Sequence, residues 1–144
     1  MTAPVRLIGL LGATVARMAV GALFYSPVGF VRAWSRMTGV SDDKMAANIG
    51  TWITVDLVGA FLMACVLAAA IFYSRARTLP RAMGVAFLSW LGFVAVALIP
   101  RVTYEKSPFA LFAINAGFQL ASMLVMGAIL TLWGLRREES RSRS

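Results

Sequence analysis

Four long apolar blocks dominate this sequence and limit the folds that are open to it. They cover about residues 5–25, 50–73, 82–99 and 109–133. An α-helix rises 1.5 Å per residue, so about 20 apolar residues are needed to cross the hydrocarbon core of a bilayer. The third block, between Pro80 and Pro100, is the shortest. The pattern predicts an all-α, polytopic membrane protein in which residues 1–135 form one domain, a bundle of four transmembrane helices.

Composition favours lipid as the solvent around these blocks. Of the 144 residues, 60% are hydrophobic and 14% are charged, whereas a soluble domain needs more polar residues to cover its surface. The formal net charge of +8 comes from basic residues that flank the blocks. This placement favours contact with anionic lipid headgroups, and we expect no nucleic-acid binding. For the basic, polar tail at residues 136–144 we predict disorder.

The first block also permits a second interpretation, as a signal peptide. Arg6 precedes the apolar run, and Val20-Gly21-Ala22 loosely resembles a small-residue cleavage site. Against cleavage, Arg17 interrupts the run, which continues to Tyr25, an aromatic residue of the kind found at membrane interfaces. We therefore predict a retained transmembrane helix.

The distribution of basic residues indicates an orientation. Eight lie on the side of the N-terminus, the second loop and the tail, and five lie in the first and third loops. Basic residues are enriched in cytoplasmic segments, so both termini are expected to be cytoplasmic. Because the difference is small, an inverted or dual orientation stays open. Most aromatic residues fall near the ends of the blocks, but Trp90 falls in mid-span and is expected to pack between helices.

The first loop carries its own helical pattern. Four apolar residues recur at helical spacing while two arginines occupy another face, which predicts a short amphipathic helix in the outer headgroup layer. An ordinary solvated loop is the alternative. Gly39 ends the segment, and Ser41 is placed to cap a helix that begins about eight residues before the second block. The apolar residues are Val28, Val31, Trp34 and Met37, and the arginines are Arg32 and Arg36.

Two formal charges lie inside the apolar blocks, Arg17 in the first and Asp56 in the second. Each costs about 2.5–3.5 kcal/mol in hydrocarbon, so such residues usually face other helices and pair there. Arg17 lies about 12 Å below Tyr25 and Asp56 about 6 Å below Trp52, so the two side chains are within reach of each other. Asn115 and Gln119 enter the fourth span from the same side.

We therefore predict a buried polar cluster of Arg17, Asp56, Asn115 and Gln119 in the outer half of the membrane. Polar groups between membrane helices often serve to fix helix packing. An intramembrane carboxylate also suggests an ion site. We favour the packing role.

Residues for catalysis are scarce. The chain has no histidine, and its single cysteine, Cys65, lies inside an apolar block. We find no nucleophile–base pair, no glycine-rich phosphate loop and no group of metal ligands. The sequence thus predicts no enzymatic activity, no cofactor and no metal site.

Several short motifs occur along the chain from the first helix onward, namely Gly21-Ala22-Leu23-Phe24-Tyr25-Ser26-Pro27, Trp34, Trp90–Phe93, Glu105, Ile114-Asn115-Ala116-Gly117 and Met126-Gly127-Ala128-Ile129-Leu130. In these motifs the chain resembles a bacterial family of small membrane proteins that is known only as a domain of unknown function. The resemblance covers most of the chain and implies a compact four-helix membrane domain without an assigned activity.

The resemblance also implies where a site shared by the family would lie. Tyr25, Ser26, Pro27, Trp34 and Glu105 would form an outer corner, beside the outer end of the fourth helix. Arg17 and Asp56 do not match the shared pattern, so their pairing would be particular to this sequence.

Three functions remain from the sequence. The leading hypothesis is a noncatalytic component of the bacterial inner membrane, either a homo-oligomer or an accessory subunit of another membrane protein. The alternative is a small solute or cation transporter that uses Asp56 or Glu105. A membrane enzyme that acts at the outer headgroup level ranks last.

Overall fold

The described part of the chain is helical, as predicted. A computed structural model describes the backbone of residues 7–142 and the side chains of residues 7–133. Four helical spans are long and apolar enough to cross a membrane, which confirms the predicted fold class. They are Leu7–Phe24, Asp42–Tyr73, Leu79–Thr103 and Phe109–Trp133. The elements are α1 (Leu7–Phe24), α2 (Val31–Thr38), α3 (Asp42–Tyr73), α4 (Leu79–Ser89), a π-helical segment (Trp90–Ala95), α5 (Val96–Thr103) and α6 (Phe109–Ser142).

Arg6 lies outside the described residues. The tail at 136–144, for which we predicted disorder, belongs to α6 as far as Ser142 in the described backbone, and its side chains lie outside the described residues.

Apolar side chains cover the outside of the long helices. Leu23 on α1, Val66 on α3 and Phe93 in the π-helical segment are all exposed, and they represent a much larger set. A surface of this kind would drive aggregation in water. In a bilayer the same side chains contact lipid tails, so the surface fits the membrane environment that the sequence indicates.

Helix α6 is the centre of the fold, because it contacts α1, α3 and α4. Small residues allow this close approach. Gly21 of α1 lies against the Phe118 ring, and Gly127 of α6 lies against Ala86 of α4. Helix α6 therefore packs against α1 with one side and against α4 with the opposite side, both within one chain. The core around α6 is formed mainly by alanine, methionine and leucine side chains, with Ala13, Ala64, Leu67, Ala68, Ala86, Met123, Met126 and Leu130 buried.

The segment between the first two spans follows the prediction closely. Helix α2 ends at Gly39, whose positive φ of 70° suits glycine. Ser41 then caps α3, because its side-chain oxygen accepts a hydrogen bond from the Lys44 backbone N–H. As predicted, α3 begins well before the apolar block that starts near residue 50. The short helix begins later than the repeating pattern suggested, because residues 26–30 form a turn.

The third span consists of α4, the π-helical segment and α5. It covers Leu79–Thr103 and is longer than the predicted range of 82–99, which was bracketed by two prolines. Pro80 lies in the first turn of α4, where a missing N–H costs nothing. Pro100 lies inside α5, and the helix continues to Thr103. One π-type bond, from the Val96 N–H to the Leu91 carbonyl, precedes this proline. The prolines therefore do not mark the ends of the span.

The turn after α1 depends on one glycine. The Gly29 N–H donates to the Ser26 carbonyl at 2.9 Å, and the Phe30 N–H donates to the Phe24 carbonyl at 2.7 Å. A Cβ added at Gly29 would lie 2.4 Å from the Leu23 carbonyl oxygen. Backbone atoms cannot yield as a flexible side chain can, so this position requires glycine.

We predict that Gly29→Ala lowers the free energy of unfolding by about 1–3 kcal/mol, the usual cost of forcing an extra carbon into a packed site. Gly50→Ala is the matched control, since no atom lies within 4 Å of its added Cβ, and it should be neutral or stabilising by up to about 1 kcal/mol. Thermal unfolding in detergent measures both. Equal effects at the two positions would contradict the role of Gly29.

Candidate functional site

An ion pair joins α1 to α3 in the half of the spans that lies towards α2, which is the outer half in the predicted orientation. Gly9, Ala13 and Arg17 are buried and recur every four residues, so they lie on one face of α1. Arg17 Nη1 donates a hydrogen bond to Asp56 Oδ1 at 2.6 Å. The Arg17 side chain is only 6% exposed, whereas that of Asp56 is 41% exposed. The structure thus brings together the two charges that the sequence places inside the spans.

The same guanidinium also contacts α6. The Arg17 Cζ atom lies 5.2 Å from the centre of the Phe118 ring, within the range of a cation–π interaction. A single side chain on α1 therefore contacts both α3 and α6. The sequence analysis did not identify Phe118, because a phenylalanine in an apolar span cannot be distinguished from one that faces lipid.

Helices α1 and α6 run antiparallel, and their contacts define a level for each residue. Gly21 lies against Phe118, and Gly9 lies against Leu130. By interpolation, Arg17 lies at the level of Ser122. Three buried polar atoms at about this level have no hydrogen-bond partner among the described residues, namely Arg17 Nε, Gln119 Oε1 and Ser122 Oγ. This layer therefore keeps unused hydrogen-bonding capacity, which is uncommon in a folded interior.

Asn115 does not join the Arg17–Asp56 pair. Its Oδ1 accepts a hydrogen bond from the Tyr25 hydroxyl at 3.1 Å. Asn115 lies one helical turn closer to the outer end of α6 than Gln119, and Tyr25 lies two turns above Arg17 on α1. The predicted four-residue cluster is thus divided between two levels. Arg17, Asp56 and Gln119 lie at the deeper level, and Asn115 lies nearer the outer surface.

The outer corner is built around Tyr25. Its ring meets the Trp34 ring of α2 edge-on at 5.9 Å and the Phe118 ring of α6 at 5.4 Å. The Ser26 hydroxyl donates to the Leu23 carbonyl at 2.8 Å and accepts from the Gly29 N–H at 3.1 Å, which holds the turn, while Pro27 is exposed. Aromatic contacts therefore run from Trp34 through Tyr25 and Phe118 to Arg17.

Glu105 stands apart from this corner. It follows α5 in an exposed turn, and its side chain forms no hydrogen bond or ion pair with another described residue. The structure thus joins Tyr25, Ser26 and Trp34, and it does not join Glu105 to them.

Trp90 packs between helices, as expected from its mid-span position. Its indole N–H donates to the Ala116 carbonyl of α6 at 2.9 Å. The donor lies in the π-helical segment, so the irregular part of the third span is bonded to the central helix.

The chemistry that this arrangement allows is limited. Residues 7–133 contain no group of three or more His, Cys, Asp or Glu side chains that could hold a metal ion. The charges and amides described above can bind one another, water or a small polar ligand. A separate groove of about 290 Å³ lies further towards the other end of α3, with a mainly apolar lining of Leu10, Cys65, Ala68, Ala69, Phe72 and Tyr73.

The comparisons with known proteins identify a family for this chain. No curated protein and no solved structure matches the chain. The sequence profile of a family described as "Protein of unknown function (DUF1761)" matches residues 8–131, which include all but the first residue of α1, the elements α2 to α5, and most of α6. The protein therefore belongs to the DUF1761 family.

Proposed function

We propose that this protein is a noncatalytic membrane component in which the Arg17–Asp56 pair fixes the packing of the spans. The observation that carries the proposal is the position of the Arg17 guanidinium. It is buried, it bonds Asp56 of α3 at 2.6 Å, and it lies over Phe118 of α6. One charged group thus links three of the four spans.

Physical reasoning supports a packing role over a reactive one. A buried guanidinium without a partner is costly in hydrocarbon, so the pairing favours one register of α1 against α3. The neighbouring groups are a phenylalanine ring, alanines and an unpartnered amide and hydroxyl. They offer neither a base nor a nucleophile activated by one. We accordingly propose that the chain is not an enzyme and acts by associating with other membrane proteins.

The test is to break the pair and then to exchange its charges. Arg17→Ala or Asp56→Ala should each lower the free energy of unfolding in detergent by about 3 kcal/mol, the low end for unpairing a buried ion pair, because Asp56 is partly exposed. The exchanged double variant Arg17→Asp/Asp56→Arg should recover part of that loss, because opposite charges again face each other. Asp43→Ala is the control, since Asp43 is exposed at the start of α3. Single variants that melt like the wild type would contradict the packing role.

We also propose that the protein lies in the inner membrane of a bacterial cell with both termini in the cytoplasm. The excess of basic residues beside the N-terminus, the second loop and the tail supports this orientation. A C-terminal topology reporter should be active on the cytoplasmic side. Crosslinking in native membranes should trap a second copy or another membrane protein, and recovery of the single chain alone would contradict a subunit role.

A second candidate function is transport of a small solute or cation. The observation in its favour is the 41% exposure of the Asp56 side chain, because a pair with a purely structural role is expected to bury both of its charges. Intramembrane carboxylates commonly mark ion pathways.

For this second candidate, purified protein in liposomes should move protons or a cationic solute, and Asp56→Asn should stop the flux. Asp43→Asn should leave the flux unchanged. The elution volume of each variant on size exclusion shows whether it is folded. Vesicles that stay tight across a broad panel of cations would exclude transport of the compounds in that panel.

A further inference from the structure

One face of α3 changes from buried to exposed halfway along the helix. Ala60, Ala64 and Leu67 lie on the face that packs against the other spans, and they are at most 2% exposed. Ile53 precedes Ala60 by seven residues, which is two helical turns, so it lies on the same face. Ile53 is nevertheless 50% exposed and Asp56 is 41% exposed. On this face the outer half of α3 is therefore less covered than the inner half, although Asp56 pairs with Arg17 of α1.

The helix contacts explain this change. The third span contacts α3 through α4, its first part, whereas α5 makes no extended contact with α3. The third span thus lies against the inner half of α3 and not against its outer half, and the space between the outer half of α3 and α5 is called the opening below. Ile53 and Asp56 belong to the half of α3 that borders this space.

The opening faces the negative end of the neutral Arg17–Asp56 pair. The Arg17 guanidinium is 6% exposed and lies behind the carboxylate, whereas Asp56 has an exposed surface and uses only Oδ1 in the ion pair. Apolar walls around a charge strengthen its field, so a carboxylate in such a cleft attracts cations.

The depth of Asp56 makes access from the outer surface feasible. If Tyr73 marks the inner interface, 20 residues of helix reach the outer boundary of the hydrocarbon near Ile53. Asp56 then lies about 5 Å below that boundary. A carboxylate that faced lipid there would cost about 2.5–3.5 kcal/mol. Water or a cation in the opening removes that cost.

We propose that the opening between α3 and α5 is a water-filled cleft that binds small monovalent cations at Asp56, for which tetramethylammonium is the probe. This inference goes beyond the packing role, because the cleft needs no transport and no partner protein. Ile53 forms its wall, and Asp56 supplies the charge at its base.

The test uses the reactivity of introduced cysteines. In a Cys65→Ala background, Ile53→Cys is compared with Thr51→Cys and Val55→Cys, each two residues away and therefore on nearly the opposite face. The two controls bracket Ile53 in depth, and Val55 is more exposed than Ile53, at 67% against 50%. A membrane-impermeant methanethiosulfonate is added to both sides of proteoliposomes. We expect Ile53→Cys to react at least as fast as Thr51→Cys, which lies nearer the aqueous surface, and about tenfold faster than Val55→Cys, because below the boundary only the Ile53 face meets water.

The charge of the cleft is tested with paired reagents. A trimethylammonium-ethyl methanethiosulfonate should modify Ile53→Cys about tenfold faster than its sulfonatoethyl counterpart, and millimolar tetramethylammonium should slow the reaction. In Ile53→Cys that also carries the neutral double substitution Arg17→Gln/Asp56→Asn, the two reagents should react at equal rates, and tetramethylammonium should no longer slow the reaction. That double substitution also leaves no unpaired charge in the span, so the protein should still fold.

Two results would overturn the proposal. Rates that simply fall with depth, from Thr51→Cys through Ile53→Cys to Val55→Cys, would show that lipid fills the opening. A faster anionic reagent, or no protection by tetramethylammonium, would show that the cleft binds no cation. Neither result bears on the packing role, which is read from the melting of the ion-pair variants.

Discussion

The structure depends on the need of a buried guanidinium for a partner in an apolar medium. Arg17 lies in the middle of the first span, and lipid offers it neither water nor a counter-ion there. The Asp56 carboxylate and the Phe118 ring supply the partner and a polarisable face. These groups belong to α3 and α6, so in the packing role that we propose, satisfying one charge also sets the relative level of three helices. A shift of α1 by one turn would move Arg17 about 5 Å away from both.

Apolar burial cannot set that level alone, since lipid tails and leucine side chains are equally apolar. The contacts of α6 show what else contributes. Gly21 and Gly127 allow neighbouring helices to come close, and the Trp90 indole bonds the Ala116 carbonyl. At the outer end, Tyr25 bonds Asn115 and its ring contacts Trp34, which ties α2 to the bundle. Packing, hydrogen bonds and one ion pair thus act at different depths along α6.

Much of this could be predicted from the sequence, because the physical rules involved are local. Hydropathy predicts the spans, and Ser41 predicts the start of α3. The depths of Arg17 and Asp56 along their helices predict that their side chains are within reach of each other. The continuation of the third span past Pro100 could not be predicted, because a proline within an apolar helical pattern usually ends or kinks the helix. The partner of Asn115 depends on the rotation of α6, which the sequence does not specify. The exposure of Ile53 depends on how far α5 lies from α3.

The account rests on the claim that the embedded charges pair with each other in lipid. Solid-state NMR can measure this in bilayers, by dipolar recoupling between arginine side-chain nitrogens and aspartate carboxyl carbons. Asp42→Asn and Asp43→Asn would leave Asp56 as the single aspartate. The account predicts a contact at hydrogen-bonding distance that disappears in Arg17→Gln. A carboxyl carbon with no arginine nitrogen nearby would contradict it.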